Sequence, residues 1–401
     1  MNTASKTSRK LSAKRSWTLQ DLEDIEERVG QTIDLVRDAM LAPDSVKSAP
    51  TFSSAQLLSF CGIDKSKFNY RLSKGNLPDG MRGDATRRRF TLSELQQWVR
   101  ACRPNKQRPV GAQGCVISVV NFKGGVGKTS NAVTLAQGLS LRGHSVLVID
   151  MDAQASMTNL MGVVGDQDGG GDDDRTVLPL LVGAEPNIDY AVQTSYWAGI
   201  DVVAADLGLY SAEFALPSRQ KDNPNFEFWH VLRDGLHTAR ENYDVVIIDT
   251  PPSLSYTTVN AILASDGLVM PLPPSQLDFL SSAQFWSLIN DLLTQLITKR
   301  GGTKEFAFID VLLSKVDTND PSCSVVREWI QAAYTDAVIP IEIPKTTATS
   351  SASAEFGTIY DLDVSKVNAR TYRRAFEAYE RMAELIEEQI ITWWSREGAQ
   401  K

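Results

Sequence analysis

The 401-residue chain reads as an α/β protein, a mainly parallel twisted sheet flanked by helices, preceded by a smaller helical module. Three observations predict this. Short apolar runs alternate with helical periodicity from Cys115 onward, a glycine-rich loop at 123–130 joins one such run to a helix, and the N-terminal quarter differs in charge from the rest.

The charge division comes first along the chain. The formal net charge is −8, yet residues 1–110 hold 20 Lys and Arg against 12 Asp and Glu, leaving 21 against 37 of the total 41 and 49 for the remainder. A basic segment joined to an acidic one points to nucleic acid as partner of the basic part. Apolar residues at 42% and charged residues at 22% exclude disordered and fibrous classes. No run of about eighteen apolar residues occurs, and the start MNTASKTSRKLSAKRS lacks an apolar signal centre, so cytoplasmic residence without a membrane is expected. Cys61, Cys102, Cys115 and Cys323 form no C-x-x-C pair and are expected to be reduced thiols.

Residues 1–44 form the first unit. Leu22, Ile25, Val29, Ile33, Val36 and Leu41 fall near helical spacing over 17–41, and Thr18 can cap the helix start. Such a helix either packs on a core or makes a dimer contact. A basic unit, 45–104, follows the linker-like APDSVKSAP. Within it, SSAQLLSF at 53–60 and DKSKFNYRLS at 64–73 read as two helices across Cys61-Gly62-Ile63, the pattern of a helix-turn-helix. The second helix offers Ser66, Lys67, Asn69, Tyr70 and Arg71, types suited to phosphates and base edges. Arg82, Arg87, Arg88 and Arg89 then read as a basic wing, before a helix from Ser93. The 13 basic against 4 acidic residues between 45 and 110 favour DNA over the competing account, a helix pair in a core.

RPNKQRPVGAQG at 103–114 marks the second boundary, with 105–114 as the linker, and 115–401 form the α/β domain. Its strands are expected in CVISVVNF, HSVLVID, IDVVAA, YDVVIIDT, DGLVMPL and FAFIDVLLSKV. In NFKGGVGKTS, Gly124, Gly125 and Gly127 permit a tight turn that aims successive amides, those of Val126 and Ser130 included, at phosphate oxygens, with the following helix N-terminus adding partial positive charge. Lys128 is placed to reach the β- and γ-phosphates and the Thr129 hydroxyl to coordinate Mg2+. The common G-x-x-x-x-G-K-[ST] pattern would need glycine where Phe122 stands; the match is to K-G-G-x-G-K-[ST], with Lys123 ahead of the glycines. Asp150, Asp152 and Asp249 stand at or just beyond strand ends, where doubly wound sheets place ligands. A carboxylate there can hold a metal-bound water, and another can orient the attacking water.

KGGVGKTS at 123–130, IDMDAQAS at 149–156 and IIDTPPS at 247–253 together resemble the ParA family of DNA-partition ATPases, over roughly residues 115–390. The resemblance implies a P-loop fold of the deviant Walker A type that hydrolyses ATP to ADP with Mg2+. It also implies a homodimer that sandwiches ATP and binds DNA without sequence preference, and a ParB-like centromere-binding partner. By the same resemblance Lys123 is the signature lysine that crosses to the partner's phosphates, Asp152 the hydrolysis-related aspartate, and Asp150 and Asp249 the metal-shell carboxylates. Ala153 and Ala155 depart from the family's D-x-D-P-Q-G. The N-terminal unit resembles the winged helix-turn-helix of the larger ParA proteins, which repress their own operon. By analogy, LLSKVDT at 312–318 and VIPIEIPK at 338–345 are expected to line the adenine.

GDQDGGGDDD near 166–174 looks like an inserted solvated loop without calcium-loop spacing. In the C-terminal helix Lys366, Arg370, Arg373 and Arg374 form a row that the family uses on DNA; a solvated face is the alternative. The functional expectation is a nucleoid-associated partition ATPase and autorepressor. The alternative is a MinD-like membrane switch, which Trp393 and Trp394 would serve but Glu384, Glu387 and Glu388 oppose.

Overall fold

The computed structural model describes residues 17–40, 47–82, 88–163, 175–349 and 357–400. Helix α1, Leu19–Met40, starts where the Thr18 hydroxyl accepts the Asp21 amide at 3.3 Å and the Asp21 carboxylate accepts the Thr18 amide at 2.8 Å. It belongs to a unit of its own, residues 1–48, while 49–401 form the second.

The second unit opens with β1 (Phe52–Ser53), α2 (Ser54–Cys61), α3 (Lys65–Ser73), β2 (Met81–Arg82), β3 (Arg88–Phe90) and α4 (Leu92–Cys102). Ser53 with Gln56, and Thr91 with Glu94, close reciprocal caps that fix the starts of α2 and α4. Gly62 ends α2 at φ 62°, and the Asp64 carboxylate starts α3 by accepting the Lys67 amide at 2.7 Å. The expected wing is a hairpin, Met81 opposite Arg89 and Arg82 opposite Arg88, with β1 on the other edge of β3. Arg87 and the hairpin tip lie outside the described residues, as does the acidic stretch at 166–174.

Leu57, Phe68, Phe90, Leu95 and Trp98 share one core with the sheet and with α5 (Lys128–Leu141). The segment expected as a linker is therefore docked. Arg108 donates to the carbonyls of Arg240, Glu241 and Tyr243 and pairs with Asp244 at 3.0 Å. All four cysteines are free thiols, with Cys61, Cys115 and Cys323 buried.

Among the described residues the main sheet has eight strands: β4 (Cys115–Val119), β5 (Val146–Asp150), β6 (Gln193–Thr194), β7 (Ile200–Val203), β8 (Val245–Asp249), β9 (Gly267–Leu272), β10 (Phe308–Val316) and β11 (Val338–Pro344). Their order is β11-β10-β9-β4-β8-β5-β7-β6, parallel throughout except the β6–β7 pair. Every residue of β4, β5, β8 and β9 is buried, which is why these strands read as unbroken apolar runs. The remaining helices are α6 (Ser156–Leu160), α7 (Leu178–Val182), α8 (Ala212–Asp222), α9 (Val231–Gly235), α10 (His237–Asn242), α11 (Tyr256–Ala264), α12 (Gln276–Leu296), α13 (Pro321–Tyr334) and α14 (Ala369–Gln400).

Helix α5 is buried almost throughout, between the sheet and α14. Its polar positions are matched: Gln137 donates to Tyr196 at 2.9 Å and accepts from Thr358 at 2.6 Å, and Ser140 accepts from Gln96 of α4 at 2.6 Å. Gly138 lets α14 approach so closely that a Cβ there would stand 2.6 Å from that of Ala383.

Candidate functional site

The strand register assembles the site. Val119 pairs with Asp249 and Asp249 with Asp150, so the loop after β4 and both strand-end carboxylates meet at the carboxyl edge of the sheet. Gly125 and Gly127 adopt φ 75° and 95°, turning the loop into α5, and a Cβ on Gly127 would lie 3.1 Å from the Asn131 amide nitrogen. The loop is held from behind by its carbonyls. Asn131 donates to Gly127 O at 2.7 Å, Ser314 to Val126 O at 2.9 Å and Lys315 Nζ to Gly125 O at 2.5 Å. The first-turn amides of α5, Lys128 to Ser130, have no intrahelical acceptors of their own.

Lys128 is buried and its Nζ donates to Lys123 O at 3.1 Å; burial lowers its pKa against the opposing pull of Asp249 and Asp152. The Thr129 hydroxyl donates to Asp249 Oδ2 at 2.6 Å, while Asp249 Oδ1 is buried without a hydrogen-bond partner. Burial, then the neighbouring Asp150 charge, push the Asp249 carboxyl well above the usual range.

Asp150 differs from the metal-shell expectation in what its oxygens hold. They accept the Thr158 amide at 2.9 Å, the Thr158 hydroxyl at 2.8 Å and the Asp152 amide at 3.1 Å, and burial raises the carboxyl to about 6. Asp150 therefore fastens the loop that carries Asp152 to the start of α6. Asp152 is half-buried and accepts the Gln154 amide at 3.0 Å. Ala155 sits at φ 55°, the left-handed conformation in which the glycine of D-x-D-P-Q-G would be unstrained.

The Lys123 Nζ pairs with Asp278 Oδ1 at 2.6 Å. Phe122, where the common pattern has glycine, packs on Phe285 of α12 with ring centroids 4.5 Å apart.

The residues fit a magnesium–nucleotide complex. An orphaned, buried carboxylate oxygen beside a threonine hydroxyl suits a metal-bound water, and among the described residues no group of three or more His, Cys, Asp or Glu would hold a metal alone. Magnesium commonly takes one or two carboxylates, with phosphate and water supplying the rest. A cavity of about 350 Å³ adjoins the loop, lined by Gly127, Ser130, Ser314, Lys315, Ile343 and Pro344, drawn partly from the two segments expected near adenine.

Of the residues expected on DNA, Ser66, Lys67, Asn69 and Tyr70 are exposed on α3. Arg71 is half-buried and donates to Ala101 O at 3.1 Å, tying α3 to α4. Arg89 is exposed and donates to Thr51 at 3.1 Å, whereas the half-buried Arg88 pairs with Asp79. Arg82 lies on β2, and Lys366 in the turn before α14; the side chains of both lie outside the described residues. Arg370, Arg373 and Arg374 are exposed along the start of α14.

At the other end of α14, Trp394 is buried and its Nε1 donates to Gln113 O at 3.0 Å, so it is not a free aromatic anchor. Glu387 is also buried, accepting from Arg103 at 2.7 Å and meeting His144 at 3.0 Å. No described helix is long and apolar enough to cross a membrane. Thr158 and Asp278 were not singled out by sequence, because each reaches the site from a segment without a motif of its own, whereas Lys315 lies in the 312–318 segment expected near the adenine.

Residues 114–300 match a family model described as an AAA domain. The chromosome partitioning protein ParA of Caulobacter vibrioides is 32% identical over 256 residues, covering 62% of this chain and 87% of that one. The sporulation initiation inhibitor protein Soj of Bacillus subtilis is 30% identical over 259 residues, 65% and 95% of the two chains. A Sinorhizobium fredii protein, provisionally named replication protein A, is 28% identical over 386 residues, 92% and 93% of the two chains. A solved structure named Partition Protein has the same fold, with TM-score 0.62 at 20% identity, over 91% of this chain and 98% of that one.

Proposed function

This chain belongs to the ParA family of partition ATPases, and from that premise we propose that it is a nucleotide-driven DNA-partition switch. It is an ATPase, hydrolysing ATP to ADP and phosphate. The observation that carries this reading to individual residues is the buried Asp249 oxygen without a partner, beside Thr129 and the buried Lys128.

The amides of Gly124 to Ser130 cradle the phosphates, and Lys128 neutralises the β- and γ-oxygens. Bound magnesium supplies the charge that offsets negative charge developing during phosphoryl transfer. Thr129 and Asp249 would hold it, with Asp150 steadying the neighbouring loop. Asp152 orients the attacking water, and Lys123 reaches the phosphates of a second subunit in an ATP-sandwich homodimer. In that state the exposed Arg370, Arg373 and Arg374 bind DNA through phosphates, independently of sequence. The helix pair α2–α3 and its hairpin serve as a winged helix-turn-helix that represses the protein's own operon. A ParB-like partner stimulates hydrolysis, and the protein works in the cytoplasm on the nucleoid. The burial of Trp394 favours DNA over a membrane as the surface it uses.

Lys128→Ala is the direct test. Calorimetric titration with ATP and magnesium is expected to show affinity reduced by on the order of a hundredfold or more, since a buried charge-assisted contact to phosphate is lost. Unchanged affinity would remove the loop from nucleotide binding.

A further inference from the structure

We propose that Asp278 is a positioning residue that stores Lys123 on its own subunit until ATP-dependent dimerisation draws the lysine away. The proposal rests on the reading of Lys123 as the lysine that crosses to the second subunit.

Four observations converge on it. The ion pair is short, Nζ to Oδ1 2.6 Å, with the Asp278 side chain 12% exposed and that of Lys123 37%. Asp278 is fixed from its own helix: its amide donates to the Ser275 hydroxyl at 3.2 Å, and that hydroxyl donates back to Oδ2, leaving Oδ1 for the lysine. The lysine is fixed from the loop, because its amide donates to Asn121 Oδ1 at 3.0 Å and Asn121 Nδ2 donates to Pro271 O at 2.9 Å. Finally, Phe122 seats on Phe285, two helical turns beyond Asp278 on the same face of α12. A glycine at 122 would supply no such anchor, so the departure from the common loop pattern is what docks the loop on α12.

A lysine held this way cannot also touch a phosphate on another subunit, since one ammonium cannot occupy both places. Dimerisation must break the pair in each protomer. Leu277 and Leu280, beside Asp278, are 72% and 61% exposed, an apolar rim where an approaching surface would exclude water and disturb the pair. Asp278 thus opposes premature dimerisation by a modest, salt-sensitive amount.

Sedimentation velocity on the full chain with ATPγS and magnesium tests this in four proteins: wild type, Asp278→Asn, Lys123→Ala and the double variant. A partly exposed pair contributes roughly a two- to fivefold factor, and two pairs break per dimer, so Asp278→Asn is expected to dimerise at about four- to twenty-five-fold lower protein concentration. Asp278→Ser, which keeps an oxygen at that position, carries the same expectation if the asparagine variant does not fold. On the Lys123→Ala background, Asp278→Asn is expected to change nothing. Dimerisation of Asp278→Asn at the wild-type concentration or above it overturns the proposal, as does an effect that persists without Lys123. If Lys123→Ala itself dimerises like wild type, the reading of Lys123 fails instead, whatever Asp278 does.

Discussion

Ala155 shows how much one methyl group can weigh at a switch loop. At φ 55° a Cβ crowds the following carbonyl, which costs about 1–2 kcal/mol relative to glycine, partly offset by the lower entropy of an unfolded alanine. Ala155→Gly is expected to raise stability by about 0.5–1 kcal/mol in urea unfolding; a loss would mean that the methyl makes a compensating contact. The sequence reveals that alanine stands where related chains have glycine, but only the backbone reveals that this position is left-handed. A second residue, Asp310, is 4% exposed, accepts from Gln389 at 2.5 Å, and is raised by burial to about 6. For a carboxyl raised in the folded state, the stabilisation is fully present below the unfolded pKa near 4 and is lost as pH rises through about 6. Stability should therefore fall across that window by an amount of order 1–3 kcal/mol, and Asp310→Asn should flatten this part of the pH–stability curve measured by chemical denaturation.

At the scale of elements, the parallel strands were the easiest to read, because burial on both faces removes polar residues from the run. The edge strands β6 and β11 were not, since one is two residues long and the other carries Pro340 and Pro344. The loop and its carboxylates were legible as a spacing. Asp278 was not, because its meaning depends on where α12 crosses the loop. The closeness of α5 and α14 likewise escapes sequence: Gly138 in a helix looks like a weakness until Ala383 is seen against it. Gly138→Ala should gain helix propensity of about 1 kcal/mol yet lose more to overpacking, for a net destabilisation of about 1–2 kcal/mol in guanidinium titration. A stabilised variant would show that the two helices can part at little cost.

For the molecule as a whole, composition separates a basic N-terminal module from an acidic domain, but packing joins them. Gln96 reaches Ser140 at 2.6 Å, Arg100 reaches Gly143 O at 2.6 Å, and Arg103 and His144 converge on buried Glu387. These contacts, with the shared core around Leu95 and Trp98, leave no free tether between the module and the sheet. Residues 49–401 are accordingly expected to melt as one cooperative unit in differential scanning calorimetry. Two resolved transitions, one lost on removing residues 49–104, would show that the module folds independently.

Helix α5 begins at the nucleotide loop and ends against α4. A rod of its 14 residues is about 21 Å long, so a tilt of about 5° where phosphate binds sweeps the far tip through about 2 Å. Buried along most of its length, such a rod would carry that sweep to its contact with α4.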